Sequence, residues 1–149
     1  MEKDFRDEAL KLENQLCFPL YAAARKITGS YAPILKPLGL TYTQYLVMLV
    51  LWEEGMMNVG DLRKKLYLDT GTLTPLLKKM EEHGLLLRRR CPDDERCVRV
   101  SLTQKGLDLK EKAREIPMQV SSCITLEAEE ALQLYRTLYK LLGADCPVA

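Results

Sequence analysis

Cysteine is the residue type in this sequence with the widest capacity for chemistry. The 149-residue chain contains one histidine, His83, and five cysteines, at positions 17, 91, 97, 123 and 146. An odd number of cysteines at irregular spacing does not describe the disulfide framework of a secreted domain. A lone histidine without a paired CxxC motif does not predict a zinc site, and no cofactor is expected. The cysteines should therefore be mostly thiols, and any disulfide would be a signal rather than a structural cross-link.

Three of the cysteines, Cys17, Cys91 and Cys97, leave alternatives open. Cys17 stands in an apolar stretch beside Leu16 and Leu20, where composition alone favours a small core residue over a reactive thiol. Burial raises the pKa of a thiol, so a cysteine in such a place reacts only if hydrogen-bond donors stabilise its thiolate. Cys91 and Cys97 flank a predicted hairpin tip, where they either pair, if their Cα separation permits, or stand exposed. Cys146 is expected to be an incidental thiol in the tail.

A second group of residues has the chemistry of a nucleic-acid contact. A predicted helix over 70–82 opens with several threonines, whose small hydroxyl side chains can reach base edges and phosphates. The N-terminus of the helix also attracts phosphate. The alternative is a capped surface helix with solvated lysines. The candidate DNA-binding residues here are Asp69, Thr70, Thr72, Pro75, Lys78 and Lys79.

Basic residues also cluster on the hairpin predicted after this helix. Arg96, at its tip, could enter a narrow minor groove, whose negative potential favours arginine, and Asp94 is close enough to orient it. Arg88 is the third candidate on this element. The alternative is an ordinary hairpin in which Asp93, Asp94 and Glu95 neutralise the arginines. Although the whole chain carries a net charge of only +1, residues 61–105 carry +4 and the remainder −3, so the basic charge lies where this contact would be.

The elements that must position these residues are predicted to be mostly helical. A first helix is expected over 4–27, bent by Pro19 and ended by Gly29 and Pro33. Thr41 and Gln44 have the spacing of a capping box ahead of an apolar core helix that ends near Gly55. Further helices are predicted over 59–66, 70–82, 104–120 and 126–142, the last two capped by Thr103 and Thr125.

The two short helices around a turn indicate a helix-turn-helix, and strands over 85–90 and 97–102, joined by a six-residue loop, form a hairpin that we call the wing. The predicted fold is mainly α with a small β-hairpin wing, a winged helix-turn-helix in a single domain, 1–149. Residues 1–40 and 107–149 are expected to supply dimerisation helices and residues 41–106 the DNA-binding lobe. The longest apolar run, 45–52, is too short to span a membrane, and the N-terminus lacks a signal-peptide core, so a cytoplasmic location is expected.

Several segments resemble one known family. Asp94-Glu95-Arg96 followed by residues 98–106 resembles the wing signature of the MarR family of winged-helix repressors. Residues 12–18, 40–47 and 68–79 resemble the group of organic-hydroperoxide sensors within it, OhrR. The resemblance implies that Cys17 is the oxidant-sensing thiol, that Tyr31 and Tyr42 hydrogen-bond it, and that oxidation gives a sulfenic acid. It also suggests Cys123 of the other subunit as a resolving thiol.

These features favour a DNA-binding redox switch. The expected partners are pseudo-palindromic double-stranded operator DNA, a second copy of the chain, and an organic hydroperoxide or other oxidant. Whether Cys123 or a low-molecular-weight thiol resolves oxidised Cys17 is left open. One alternative is a MarR-type repressor that responds to a reversible small ligand, and another is a thiol peroxidase with Cys17 as nucleophile; mutation of Cys17 separates the first of these from the redox switch.

Overall fold

One helix, buried on most of its surface, lies at the centre of the fold. The structure is a computed structural model that describes residues 5–148. In chain order these residues form α1 (Phe5–Ala9), α2 (Cys17–Leu35), α3 (Tyr42–Glu54), β1 (Met56–Asn58), α4 (Val59–Lys65), α5 (Thr70–Glu82), β2 (Leu86–Cys91), β3 (Asp94–Leu102), α6 (Gln104–Ala113), α7 (Ile116–Ser121) and α8 (Ala128–Leu142). The mainly helical fold with a small β wing is as predicted. Across residues 5–148 no single helix is long and apolar enough to cross a membrane, and only a pair of segments bent by 71°, Cys17–Leu38 with Tyr42–Glu54, reaches that length and composition.

The central helix is α3, and its predicted capping box is confirmed. The Gln44 backbone N–H donates to Thr41 Oγ1 (3.4 Å), and the Thr41 N–H donates to Gln44 Oε1 (3.0 Å). Each partner thereby satisfies a group that the helix itself leaves open. The helix ends at Gly55, whose φ of +75° suits a residue without a side chain. Its fully buried residues include Val47, Met48 and Leu51, so α3 is the core element that its apolar sequence indicates.

The N-terminal helix differs from its prediction. The predicted start at residue 4 lies outside the described residues. Instead of one helix, α1 ends at Ala9, a 3-10 turn covers Leu12–Asn14, and α2 begins only at Cys17. Pro19 therefore lies in the first turn of α2, where a missing N–H is tolerated, and it does not bend a helix.

The end of α2 was also predicted wrongly. The helix continues through Gly29 and Pro33 as far as Leu35. A proline inside a helix removes one backbone hydrogen bond. Leu35 is fully buried, and Tyr31 and Ile34 pack against the core, so tertiary packing holds the last turns of the helix in place despite this loss.

The helix-turn-helix is confirmed, and the sheet beside it is larger than expected. α4 and α5 have the predicted positions, with Tyr67 at a φ of +53° in the turn between them. The wing is accompanied by a third strand, β1, which the sequence analysis missed, in the antiparallel order β1-β3-β2. Val100, fully buried, pairs with Met57 on one side and Arg88 on the other. The predicted six-residue loop is shorter, because the strands extend to Cys91 and Asp94.

The C-terminal helices also depart from prediction in their details. Thr103 caps α6 as expected, accepting from the Gly106 N–H (3.1 Å), but the predicted helix over 104–120 is divided at residues 114–115 into α6 and α7. Thr125 does not cap the last helix; Glu127 does, in a capping box with Glu130. No residue of α8 is buried among the described residues, so its apolar side chains are at most partly covered there.

The base of the wing makes a close backbone contact that yields a stability prediction. A Cβ placed on buried Gly106 would overlap the carbonyl oxygen of Leu85 and come within 3.1 Å of Leu102 Cδ2. The backbone must therefore shift to accept a side chain. We expect Gly106→Ala to lower the free energy of unfolding by about 1–3 kcal/mol.

Urea denaturation would measure this change. Gly60→Ala is the matched control, because nothing lies within 4 Å of a Cβ at that position. If the two variants unfold at the same urea concentration, the contact between Gly106 and Leu85 does not determine how the wing is attached.

Candidate functional site

The first turn of α5 is exposed and is held by its own cap. Asp69 accepts hydrogen bonds from the Thr72 backbone N–H (2.7 Å) and from Thr72 Oγ1 (3.1 Å). These bonds, led by the one from the Thr72 N–H, lower the pKa of Asp69 below its ordinary value. Asp69 therefore stays ionised and engaged at the helix end. The exposed face of α5 carries the remaining candidates, Thr70, Thr72, Pro75, Lys78 and Lys79.

The opposite face of α5 fixes this helix to the body of the protein. Leu73, Leu77 and Met80 are almost completely buried at helical spacing. The threonines and lysines therefore point outward because the core requires the other face. The helix thus presents hydroxyl groups, positive charge and its own N-terminus on one accessible surface.

The wing is tied to α5 by an ion pair. The Arg88 N–H and Nε donate to Glu81 Oε1 (2.8 Å) and Oε2 (2.9 Å), and Arg88 Nη2 is 2.8 Å from Glu81 Oε2. The hydrogen bonds from Arg88, the backbone bond first, lower the pKa of Glu81. Arg88, a candidate DNA contact by sequence, thus lies half-buried in an internal contact that sets the position of the wing.

The remaining wing candidates lie at the tip. The Arg96 backbone N–H donates to Asp94 Oδ1 (2.9 Å), so Asp94 orders the backbone at Arg96. Among the described residues, the ion pairs include none from Asp93, Asp94 or Glu95 to an arginine of the wing. This speaks against a hairpin whose charges are neutralised internally, and it leaves the Arg96 side chain exposed.

A cleft of about 510 Å³ separates the wing from the helix-turn-helix. Its lining includes Asp94, Arg96 and Cys97 from β3, Thr74 from α5, and Asn58 at the end of β1. Both candidate contact elements therefore border one concave surface, although they are separated in the sequence.

Cys17 and its predicted phenol partners do not meet within one chain. Cys17 is exposed at the first position of α2, and Tyr31 lies fourteen residues later on the same helix. At 1.5 Å per residue the two are about 21 Å apart along the helix axis. An uninterrupted helix cannot fold back, so a hydrogen bond between Cys17 and Tyr31 of the same chain is excluded.

The two phenols do lie together. The Tyr31 and Tyr42 ring centroids are 4.7 Å apart, and the Tyr45 ring is 5.8 Å from that of Tyr31. Burial raises the pKa of Tyr31 and of Tyr42, and repulsion from Tyr31 adds to the effect on Tyr42. Both phenols therefore remain protonated hydrogen-bond donors at neutral pH. Tyr45 was missed by the sequence analysis, although its position three residues after Tyr42 on α3 indicates a shared helix face.

The other cysteines have separate surroundings. Cys123 is exposed just after α7. Cys91 and Cys97 have sulfur atoms in disulfide contact and Cα atoms 5.4 Å apart. The sequence left open whether these cysteines pair or stand exposed, and this Cα separation permits pairing. Among the described residues, no group of three or more histidine, cysteine or acidic side chains could hold a metal ion.

Comparisons with known proteins agree with this arrangement. The sequence profile of the MarR family matches residues 40–98. The organic hydroperoxide resistance transcriptional regulator of Bacillus subtilis is 49% identical over 142 residues, covering 95% of each chain. Among solved structures, reduced AbfR bound to DNA has a TM-score of 0.76 at 35% identity, covering 93% of this chain and 96% of AbfR. Disulfide-formed AbfR has a TM-score of 0.64 at 36% identity, covering 93% and 97%; the protein is from Staphylococcus epidermidis.

The relative from Bacillus subtilis covers nearly the whole chain at 49% identity. The family profile covers the helix-turn-helix and most of the wing, the elements that border the cleft. This chain therefore belongs to the MarR family of winged-helix transcriptional regulators.

Proposed function

We propose that this chain is a homodimeric, cytoplasmic transcriptional repressor that binds a pseudo-palindromic operator in double-stranded DNA. An organic hydroperoxide or related oxidant oxidises Cys17, and the oxidised protein releases the operator. The observation that carries the proposal is the cleft between α5 and the wing, bordered by Thr74 and Arg96 in a chain of the MarR family.

On DNA, α5 enters the major groove by its N-terminal turn. Thr70, Thr72 and Pro75 face the bases and nearby phosphates, while Lys78 and Lys79 contact the backbone. Arg96 reaches into the adjacent minor groove, where the negative potential favours its guanidinium. Asp69, Asp94 and Arg88 act as positioning residues, since each is already engaged by a neighbouring group.

Dimerisation follows from apolar surface that the single chain leaves exposed. Near the N-terminus the exposed side chains are Leu10, Leu12, Leu16, Phe18, Leu20 and Tyr21, and on α8 they are Leu134, Leu141 and Leu142. Large exposed apolar patches mark protein interfaces, and we infer that these side chains contribute to one. We assign residues 1–40 and 107–149 to the dimer interface and residues 41–106 to the DNA-binding lobe.

The sensing site joins two chains. Because Tyr31 is about 21 Å from Cys17 along α2, the phenols beside Cys17 belong to the partner, so that Tyr31 and Tyr42 of one subunit meet Cys17 of the other. The Cys17 thiolate attacks the terminal oxygen of the hydroperoxide, the O–O bond breaks, and the alkoxide leaves and takes up a proton to become the alcohol. Cys17 is then a sulfenic acid, whose polar oxygen lies at the contact between the two subunits and favours a different dimer arrangement.

The wing contact can be tested by Arg96→Ala. Arg96 is exposed and contributes no core volume, so the dimer should remain folded while operator affinity falls by about 1–3 kcal/mol. Fluorescence anisotropy with DNA from upstream of the gene would measure it. Lys65→Ala removes one positive charge at an exposed site where the side chain is paired with Glu54, and it should change affinity little. If the two variants lost the same operator affinity, the effect of Arg96 would come from its charge alone and not from a specific contact in the groove.

The sensing thiol can be tested by Cys17→Ser. This variant should bind the operator but keep it in the presence of an organic hydroperoxide. If it still releases DNA, Cys17 is not the sensing thiol. A parallel Cys123→Ser variant decides the resolving step: loss of a disulfide-linked dimer on non-reducing gels in both variants indicates pairing between subunits, whereas normal release by Cys123→Ser with a small thiol present leaves Cys123 without a role.

The phenol donors can be tested by Tyr42→Phe. Removing one hydrogen bond to a thiolate should slow oxidation of Cys17 about tenfold, because such bonds to charged groups contribute about 1.5–3 kcal/mol. Stopped-flow measurement of thiol loss with a hydroperoxide gives the rate. The control is Tyr67→Phe, whose phenol is exposed in the turn between α4 and α5. An oxidation rate equal to that of the wild type would exclude Tyr42 from the sensing site.

A further inference from the structure

We propose that Cys91 and Cys97 are a second redox site: a dithiol–disulfide couple inside the wing that oxidises independently of Cys17 and tightens the wing's hold on DNA. Formation of the disulfide depends only on the positions of the two cysteines within the wing. The effect on DNA rests on the proposed function, in which the wing is a DNA contact.

The strand register brings the two cysteines together. Arg90 pairs with Val98, so a ladder that continued without a shift would place Cys91 opposite Cys97. The ladder instead shifts at this point, because Cys91 pairs with Asp94. Residues 95–97 therefore lie between two paired positions of β3, as in a bulge. The Cα atoms of Cys91 and Cys97 remain 5.4 Å apart, within the usual range for a disulfide.

The two thiols differ in exposure, which assigns their order of reaction. Cys91 is only 8% exposed. Cys97 is half-buried and lines the cleft between the wing and α5, with its Sγ 3.3 Å from Asn58 Oδ1. An oxidant in the cleft therefore meets Cys97 first, and Cys91 lies beneath it as the resolving thiol.

The reaction needs only the oxidant class that the proposed function already supplies. Cys97 loses its proton, and the thiolate attacks the terminal oxygen of an organic hydroperoxide; the O–O bond breaks, and the departing alkoxide takes up that proton to become the alcohol, which leaves Cys97 as a sulfenic acid. The sulfur of Cys91 then attacks Cys97 Sγ, an S–S bond forms, and the S–O bond breaks to release water. In sum, two thiols and one hydroperoxide give one disulfide, one alcohol and one water. A low-molecular-weight thiol reverses the reaction by exchange.

The position of the couple relates it to DNA binding. Arg96 and Asp94 both lie in the short loop that the disulfide closes, and Asp94 already orders the Arg96 backbone (2.9 Å). Closing this loop removes other conformations of the wing tip before binding. Pre-organising a contact residue reduces the entropy lost on association. Oxidation of the wing should therefore tighten operator binding by about three- to tenfold, the opposite direction to oxidation of Cys17.

The test uses the full chain carrying Cys17→Ser, Cys123→Ser and Cys146→Ser, so that only the wing cysteines remain. Treatment with cumene hydroperoxide should lower the mass of the protein by that of two hydrogen atoms, as measured by mass spectrometry, and should block alkylation of both cysteines. The protein should remain monomeric on non-reducing denaturing gels. The affinity for DNA from upstream of the gene should rise three- to tenfold by anisotropy, and dithiothreitol should restore both readings.

Adding Cys97→Ser to this background is the matched control, because Cys97 is only half-buried and its replacement leaves the core intact. It should abolish the mass change and the gain in affinity. Failure of the disulfide to form with excess hydroperoxide overturns the proposal, as does a disulfide that leaves affinity unchanged or lowers it. A reduced protein that does not bind DNA at all would instead contradict the proposed function, and the mass measurement would still decide whether the couple exists.

Discussion

The base of the wing depends on a single close approach of backbone to backbone. Gly106 lies against the Leu85 carbonyl so tightly that no side chain fits between them. Trp52 Nε1, on the central helix, donates to the Gly106 carbonyl (2.9 Å). Thr103, which caps α6, donates from its Oγ1 to the Gly84 carbonyl (2.6 Å). The core helix, the end of α5, the wing and α6 thus meet at one glycine, and the angle of the wing is fixed by the core.

The length of α2 imposes a second constraint, this one on the sensor. A rigid helix separates the exposed thiol at its first residue from the phenol on its fourth turn, so the proposed sensing site needs two chains. Tyr31 and Tyr42 pack against the same core as α3. A change in Cys17 of one subunit would therefore act on the core of the other subunit. The dimer arrangement, rather than a local distortion of one wing, would carry the signal.

Local chemistry explains which parts of the fold could be predicted. The boundaries of α5 follow from Asp69 as cap and Gly84 as terminator, and those of α3 from its capping box and Gly55. The third strand, β1, was missed because three residues are too few to display alternation. The break between α6 and α7 has no glycine or proline at residues 114–115; Pro117, two residues later, lies in the first turn of α7, where proline is favoured. Before α2, the apolar periodicity of the sequence runs through the 3-10 turn Leu12–Asn14, in which no residue is buried, so the pattern did not mark this break.

The site shows the same division between local and non-local information. Thr72 and Arg96 could be named from sequence because their chemistry is local, whereas Tyr31 and Tyr42 were named only from the family resemblance. The Glu81–Arg88 contact could not, because the two residues meet only when the wing folds back on α5. Its consequence is geometric: once Glu81 engages Arg88, the wing cannot swing away from α5 without leaving a half-buried guanidinium and carboxylate unpaired. The Glu81–Arg88 contact therefore couples the wing to α5, so in the proposed function a rearranged dimer would withdraw both proposed DNA contacts together.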